Sequence, residues 1–287
     1  MKTDSNTITA SAIKKKNVFF TMQYVPPLLI TLILIAGHLT FGILEGYKNI
    51  LLSIGCSMLT ELILARLVFG TWKNLSSAYI TGISVGILVR SPYLWPFALT
   101  AIVSIMSKYI LRYRNTHIWN PSNFGITWMF ALLPAGVAGL SIQWGNNIWP
   151  MLVIWVLGLV IVWRVKRLHI TLTYVISFIL FSFLRSLITG DSFLTEVSPL
   201  TGPMYQLFVF FMITDPATTV KNKKGQILVA FLIALVEFVF RLNQMIYSPF
   251  YALFIVGPAA MIISLYLRPP ITGTTHTEKK AEIQINR

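Results

Sequence analysis

Apolar and polar positions in this chain fall into long blocks instead of the short periods of an amphipathic soluble protein. Uncharged runs rich in Leu, Ile, Val and Phe alternate with brief polar stretches. A membrane-crossing helix needs ~20 apolar residues, and fewer where it is broken and buried in protein. On that measure ten segments are predicted, at 25–44, 49–70, 76–90, 92–111, 118–140, 148–163, 168–188, 202–214, 225–243 and 249–267, of which the third and eighth are short. The pattern predicts an all-α polytopic membrane protein with no room for an extramembrane domain. The polar tails, 1–16 and 269–287, are expected to be disordered. Lys14, Lys15 and Lys16 before the first run imitate a secretory signal, but the run is too long and has no small-residue cleavage site, so it reads as a retained span.

Composition agrees. Of the 287 residues, 55% are hydrophobic and 11% charged, where a soluble domain has about 25% charged. The formal charge of +14 is spread in small clusters between apolar runs, which argues against nucleic acid and for loops that obey the positive-inside rule. With the N-terminus inside, eighteen Lys and Arg fall on the inner side and four (Lys48, Arg90, Arg185, Arg241) on the outer, with Arg66 within a span. Both termini are therefore expected to be cytoplasmic. Cys56 is the one cysteine, so neither a disulfide framework nor a thiolate metal site is available. Trp72, Trp95, Trp119, Trp144, Trp149 and Trp163 fall near the expected interfaces and read as membrane anchors.

Proline punctuation divides the chain into two similar halves. In the first, a short segment leads to Ser91-Pro92, a full segment follows, and Asn120-Pro121 opens another. In the second, a short segment leads to Asp215-Pro216, a full segment follows, and Ser248-Pro249 opens the last. The proline separations are 29 and 33 residues. The two halves have opposite orientation under the ten-segment topology, which is the inverted architecture of many transporters. The expected organisation is a cytoplasmic tail 1–24, five-helix repeats 25–140 and 141–267, and a cytoplasmic tail 268–287. Glycine or proline interrupts each short segment, at Gly82 and Gly86 in one half and Gly202-Pro203 in the other. Such paired breaks point to a central site, while close helix packing is the plainer account of the glycines.

Few residues carry chemistry. Asp215 precedes a proline, so it stands at a helix terminus, placed to cap the amides of Ala217 or Thr218 with hydroxyls from Thr218 and Thr219, or to meet a cation, proton or ligand at a cavity mouth. Glu237 and Arg241 are four apart with the acid first, the spacing of an intrahelical pair. Glu237 falls near mid-membrane, where an ionisable group marks a pathway or a pairing partner. Glu61 and Arg66 are five apart, so each is expected to find its partner on another helix. His38 reads as a helix-packing hydrogen-bond donor. Asn120 to Gly125 opens a helix beside Arg112, Arg114 and His117, and free amides there attract anions, whether a phosphate-bearing cofactor or lipid headgroups. Candidate pathway residues are thus Asp215, Glu237, Arg241, Glu61, Asn120, Asn123, Gly82 and Gly202. No catalytic constellation and no metal-ligand cluster appears.

The segment HIWNPSNFGITWMFALLP, His117 to Pro134, resembles the Asn-Pro segment of the family that contains NqrB, a membrane component of the sodium-pumping NADH:quinone reductase, and RnfD, a membrane component of the Rnf electron-transport complex. FMITDPATTVKNKKG, Phe211 to Gly225, is similar to that family's second hallmark, an acid-proline pair followed by a lysine-glycine turn. The likeness covers about residues 24–267. It implies a urea-transporter-like fold, a bacterial cytoplasmic (inner) membrane location, redox subunits as partners besides the bilayer, and a flavin. The Ser/Thr-Gly-Ala-Thr motif that carries covalent FMN in the two pumps does not occur here; Leu200 to Met204 and Ile188 to Asp191 are the nearest stretches, and the 141–147 loop is short. The chain thus resembles the stand-alone branch of the family, some of whose members occur beside enediyne biosynthesis genes, with a noncovalent flavin placed near Arg112, Asn120 and Thr218 if one binds. Three functions stay open: a subunit for electron-transport-linked ion translocation, a self-contained small-solute transporter or channel, and a structural membrane partner of a biosynthetic complex.

Overall fold

A computed structural model describes residues 46–139 and 148–267, together with 27, 28, 30–32, 34, 35, 38 and 39, which are helical. The tails, the 141–147 loop, Trp144 and the side chain of Trp149 lie outside the described residues, as does most of the first segment. The first half builds α1 (Tyr47–Phe69), α2 (Ser76–Leu88), α3 (Trp95–Ile110) and α4 (Pro121–Leu132). The second builds α5 (Ile148–Arg164), α6 (Leu168–Thr189), α7 (Phe193–Val197), a 3-10 turn (Ser198–Thr201), α8 (Pro203–Leu207), a π-helical turn (Phe208–Met212), α9 (Lys223–Leu242) and α10 (Ser248–Tyr266). Two-residue strands add small ladders: β1 (Val89–Arg90) pairs antiparallel with β4 (Ala138–Gly139), and β2 (Arg112–Tyr113) with β3 (Thr116–His117).

Among the described residues four helices, α1, α6, α9 and α10, are long and apolar enough to cross a membrane. Five further predicted segments coincide with shorter helices, α2, α3, α4, α5 and the α8 to π stretch. Local chemistry explains the boundaries. α1 and α6 stop at Gly70 (φ 67°) and Gly190 (φ 79°), whose left-handed backbone returns an N–H to the Arg66 and Ser186 carbonyls. α4 starts where the Asn120 side chain accepts from the Asn123 N–H, with Pro121 in the first turn. Pro258 lies inside α10. It has no N–H, which leaves the Phe254 carbonyl without its helical donor, and the Trp119 indole N–H fills that role at 3.0 Å. The Trp119 indole is thus bonded within the protein, and its ring packs against Phe124 and Phe254. Trp72 and Trp163 are well exposed, in keeping with anchoring.

α1 packs on α2 and α3, α3 on α4, α6 on α9, and α9 on α10, while α4 and α10 join the halves. The buried side chains include Phe97, Ile105 and Met129 on one side and Tyr174, Phe178, Phe208 and Phe250 on the other. Gly82 and Gly86 do not interrupt α2, which runs unbroken to Leu88. A Cβ on Gly82 would lie 2.6 Å from Ile54 Cα, and one on Gly86 2.9 Å from Ile50 Cα, so both serve the close approach of α2 to α1. Of the two short segments, only that of the second half carries a true break. There the chain is extended at Gly202 (φ −76°, ψ 146°) before α8, and the Ile213 N–H reaches back five residues to Phe208 O, the signature of a π turn.

Candidate functional site

Among the described residues three buried carboxylates organise the polar interior, and each has a different kind of partner. Glu61 on α1 is 3% exposed. Lys108 Nζ donates to its Oε2 at 2.6 Å and the Tyr109 hydroxyl to its Oε1 at 2.9 Å, both from α3. The expectation that its partners lie on another helix is met. Arg66 instead stays local, donating to the carbonyl of Gly70, the residue that caps its own helix, and lying over the Trp72 ring.

Glu196, on α7, is 2% exposed and is bridged by two guanidiniums, Arg185 at Oε1 and Arg241 Nη2 at Oε2, 2.8 Å. Arg241 adds a bond to Ser182 Oγ at 3.2 Å and covers the Phe178 ring at 4.7 Å. This overturns the pairing of Glu237 with Arg241 read from their spacing. Arg241 sits in the last turn of α9 and turns away from Glu237 to Glu196, where it and Arg185 together offset the desolvation of that carboxylate.

Glu237 is fully buried on α9, and among the described residues its carboxylate has no cation as a hydrogen-bonding partner. Tyr174 on α6 donates to Oε2, and Tyr205 on α8 donates to Oε1 at 2.7 Å. Phe178 and Phe208 wall the tyrosines in. The broken segment thus delivers one of the two hydroxyls, since Gly202 and Pro203 start the helix that aims Tyr205 at Glu237. Sequence reasoning found Glu237 but missed Tyr174, Tyr205 and Glu196. A tyrosine within an apolar run opposite an intramembrane acid was the available signal.

Asp215 is half-buried past the π turn. Its Oδ1 accepts the Ala217 N–H at 3.1 Å, and its Oδ2 accepts the Thr218 hydroxyl at 2.8 Å and Asn120 Nδ2 at 3.4 Å. The capping geometry matches the sequence reading, except that Thr219 donates to the Asp215 main-chain carbonyl, at 2.6 Å. Asn120 also donates to Met212 O at 3.4 Å, and Asn123 donates to Phe250 O at 3.3 Å. The first-half Asn-Pro turn therefore meets the second-half Asp-Pro turn directly. Around them, burial lowers the pKa of His117, with the Asp215 charge acting against it. Burial likewise lowers that of Arg167. Lys73 is also lowered, by burial and then by the Arg112 charge.

Arg112, Asn120 and Thr218 do not fit a flavin phosphate. Asn120 and Thr218 spend their donors on the Asp215 carboxylate, which itself repels an anion, and Arg112 donates to Asn115 O and lies over Phe69. Among the sequence candidates, then, Asp215 and Asn120 come together, Asn123 holds the seam between halves, Gly202 starts the helix that carries Tyr205 to Glu237, and Glu61, Arg241 and Gly82 stand apart.

No curated protein matches the chain significantly. Residues 138–273 match the model of the NQR2, RnfD, RnfE family. This stretch contains the Asp-Pro turn, the broken segment and the Glu237 cradle, and with the apolar helices it makes the protein a multi-pass membrane protein. Across residues 138–273, therefore, the chain is similar to the NQR2, RnfD, RnfE family.

Proposed function

We propose that this chain is a membrane subunit that takes part in redox-linked translocation of a cation, with Glu237 as the mid-membrane stopping point. The architecture proposed with it is ten crossings in two inverted five-helix repeats, 25–140 and 141–267, between cytoplasmic tails 1–24 and 268–287 in a bacterial inner membrane. The observation that carries the reading is the partner set of Glu237. Glu61 and Glu196 are each bridged to cations, whereas Glu237 is held by two neutral hydroxyls. A buried acid is expensive in a bilayer. A group that binds and releases a cation or proton needs a cradle that orients it without bringing a fixed positive charge, and two tyrosine hydroxyls do that. Asp215 and Asn120 form the mouth proposed for the same route.

The test is cation uptake by the purified chain in proteoliposomes under an imposed membrane potential, read with sodium and proton indicators. Glu237→Gln keeps the side-chain shape and one acceptor oxygen, and either hydroxyl can turn to accept from the new amide. It is expected to abolish uptake while moving the unfolding temperature little. Uptake at the wild-type level in Glu237→Gln, or parallel loss of fold and uptake, refutes the proposal. Reporter tags after Pro92 and after Pro216 are expected on opposite faces of the membrane.

A further inference from the structure

The Arg241 end of α9 lies at the opposite end of that helix from the Asp215 turn, and it opens into a cavity of about 370 Å³, within the size range of small-molecule sites. Arg185 and Arg241 both face this cavity, and among the described residues no acidic side chain lines it.

Glu196, behind that wall, is the single acid the two arginines share, so the cluster keeps one net positive charge. Among the described residues Arg185 Nη2 and Arg241 Nε make no hydrogen bond, so both guanidiniums retain donors beyond those that hold Glu196. The first turn of the 19-residue α10 borders the same space through Ser248, 3% exposed, and among the described residues no side chain caps that turn. The positive end of the helix dipole therefore adds to the guanidinium field. Met204 and Met245 supply an apolar wall beside it.

We infer that this cavity binds a phosphate group carried on a small organic body. Two guanidinium forks match the oxygens of a phosphate better than they match a point anion, and a net positive cluster with a helix start favours an anionic ligand. The methionine wall fits a short glyceryl or acyl portion next to the phosphate. A phospholipid headgroup and a free phosphate monoester share this chemistry. Tyr205 lines this cavity and also belongs to the Glu237 cradle, but the inference does not rest on the cation route proposed above.

The test uses the purified full chain in phosphatidylcholine nanodiscs, with unfolding temperature and calorimetric titration as readouts. One arm adds glycerol 3-phosphate, and the other replaces part of the lipid with phosphatidylglycerol. A saturable response in the first arm identifies a soluble ligand, and a response confined to the second identifies a lipid headgroup; either supports the site. Arg185→Gln is expected to weaken binding about tenfold or more, as the loss of a charge-assisted fork should. Met245→Trp fills the cavity without touching the ionic cluster and is expected to abolish binding, so it decides the matter even if Arg185→Gln fails to fold. Lys73→Gln, at the other end of the molecule, should leave affinity unchanged. No saturable response in either arm, or an unaltered response in Met245→Trp, overturns the inference.

Discussion

Adding one methyl group at Gly82 measures how tightly α1 and α2 meet. In Gly82→Ala the new Cβ lies 2.5 Å from Ser57 Oγ and 2.6 Å from Ile54 Cα. The hydroxyl can rotate away, but the Ile54 backbone cannot, so α2 must withdraw by about 1 Å to restore ordinary contact, a gap that forfeits a quarter to a half of each dispersion well along the seam. Overpacking of this kind costs about 1–3 kcal/mol, and collision with backbone puts it at the upper end. Alanine returns about 1 kcal/mol in helix propensity, which leaves a net loss of about 2 kcal/mol. Gly55, on α1, provides the control, because a Cβ there meets nothing within 4 Å. Gly55→Ala should therefore gain about 1 kcal/mol from propensity alone. The two variants are expected to differ by about 6–12 °C in unfolding temperature, at about 2–4 °C per kcal/mol for a chain of this size. Fluorescence-monitored thermal unfolding in a neutral detergent reads the difference. If Gly82→Ala proves as stable as Gly55→Ala, the helices are not in backbone contact and the packing role of Gly82 is refuted.

Lys108→Met strands the Glu61 carboxylate, 3% exposed, and should cost about 3 kcal/mol, with much of the loss recovered in the double variant with Glu61→Gln; a double-mutant cycle by chemical denaturation checks this. Trp119→Phe removes the donor to the proline-freed Phe254 carbonyl and should destabilise by about 1–3 kcal/mol, while Pro258→Ala in the same background restores an N–H and should recover part of it. His117 has a lowered pKa in the folded protein, through burial. The unfolded chain therefore binds more protons below about pH 6.5, and stability present above that pH is lost as pH falls through it towards the folded value. His117→Gln should flatten the slope of unfolding temperature against pH between about 5 and 7.

The long apolar blocks were legible because a membrane helix is written in composition over about 20 residues. Helix starts at Asn120-Pro121 and Ser248-Pro249 were legible because proline constrains its own residue and the one before it. The Asp215 cap followed from the same rule. Side-chain choices across helices were less accessible. Spacing on α9 suggested that Glu237 would take Arg241, but spacing knows nothing of Glu196, which a short non-spanning helix brings to the same guanidinium. The glycines of α2 resembled a break by composition, yet a glycine in a continuous helix and a glycine at a break look alike until a neighbouring helix is known. Trp119 sat where anchors sit, and its indole was claimed instead by a carbonyl that a proline 139 residues later had set free.

The seam between α4 and α10 has a mechanical consequence. Asn123 and Thr127 both donate to the Phe250 carbonyl, Trp119 holds Phe254, and the Gly139 N–H is bound by the Tyr247 hydroxyl at 2.7 Å. Sliding one half past the other would break these ties together, so the seam acts as an axle. The stretch from Gly202 to Met212 has the opposite character, a short helix running straight into a turn with a five-residue reach. A change from π to α winding there would swing Tyr205 relative to Glu237 while the axle stays still.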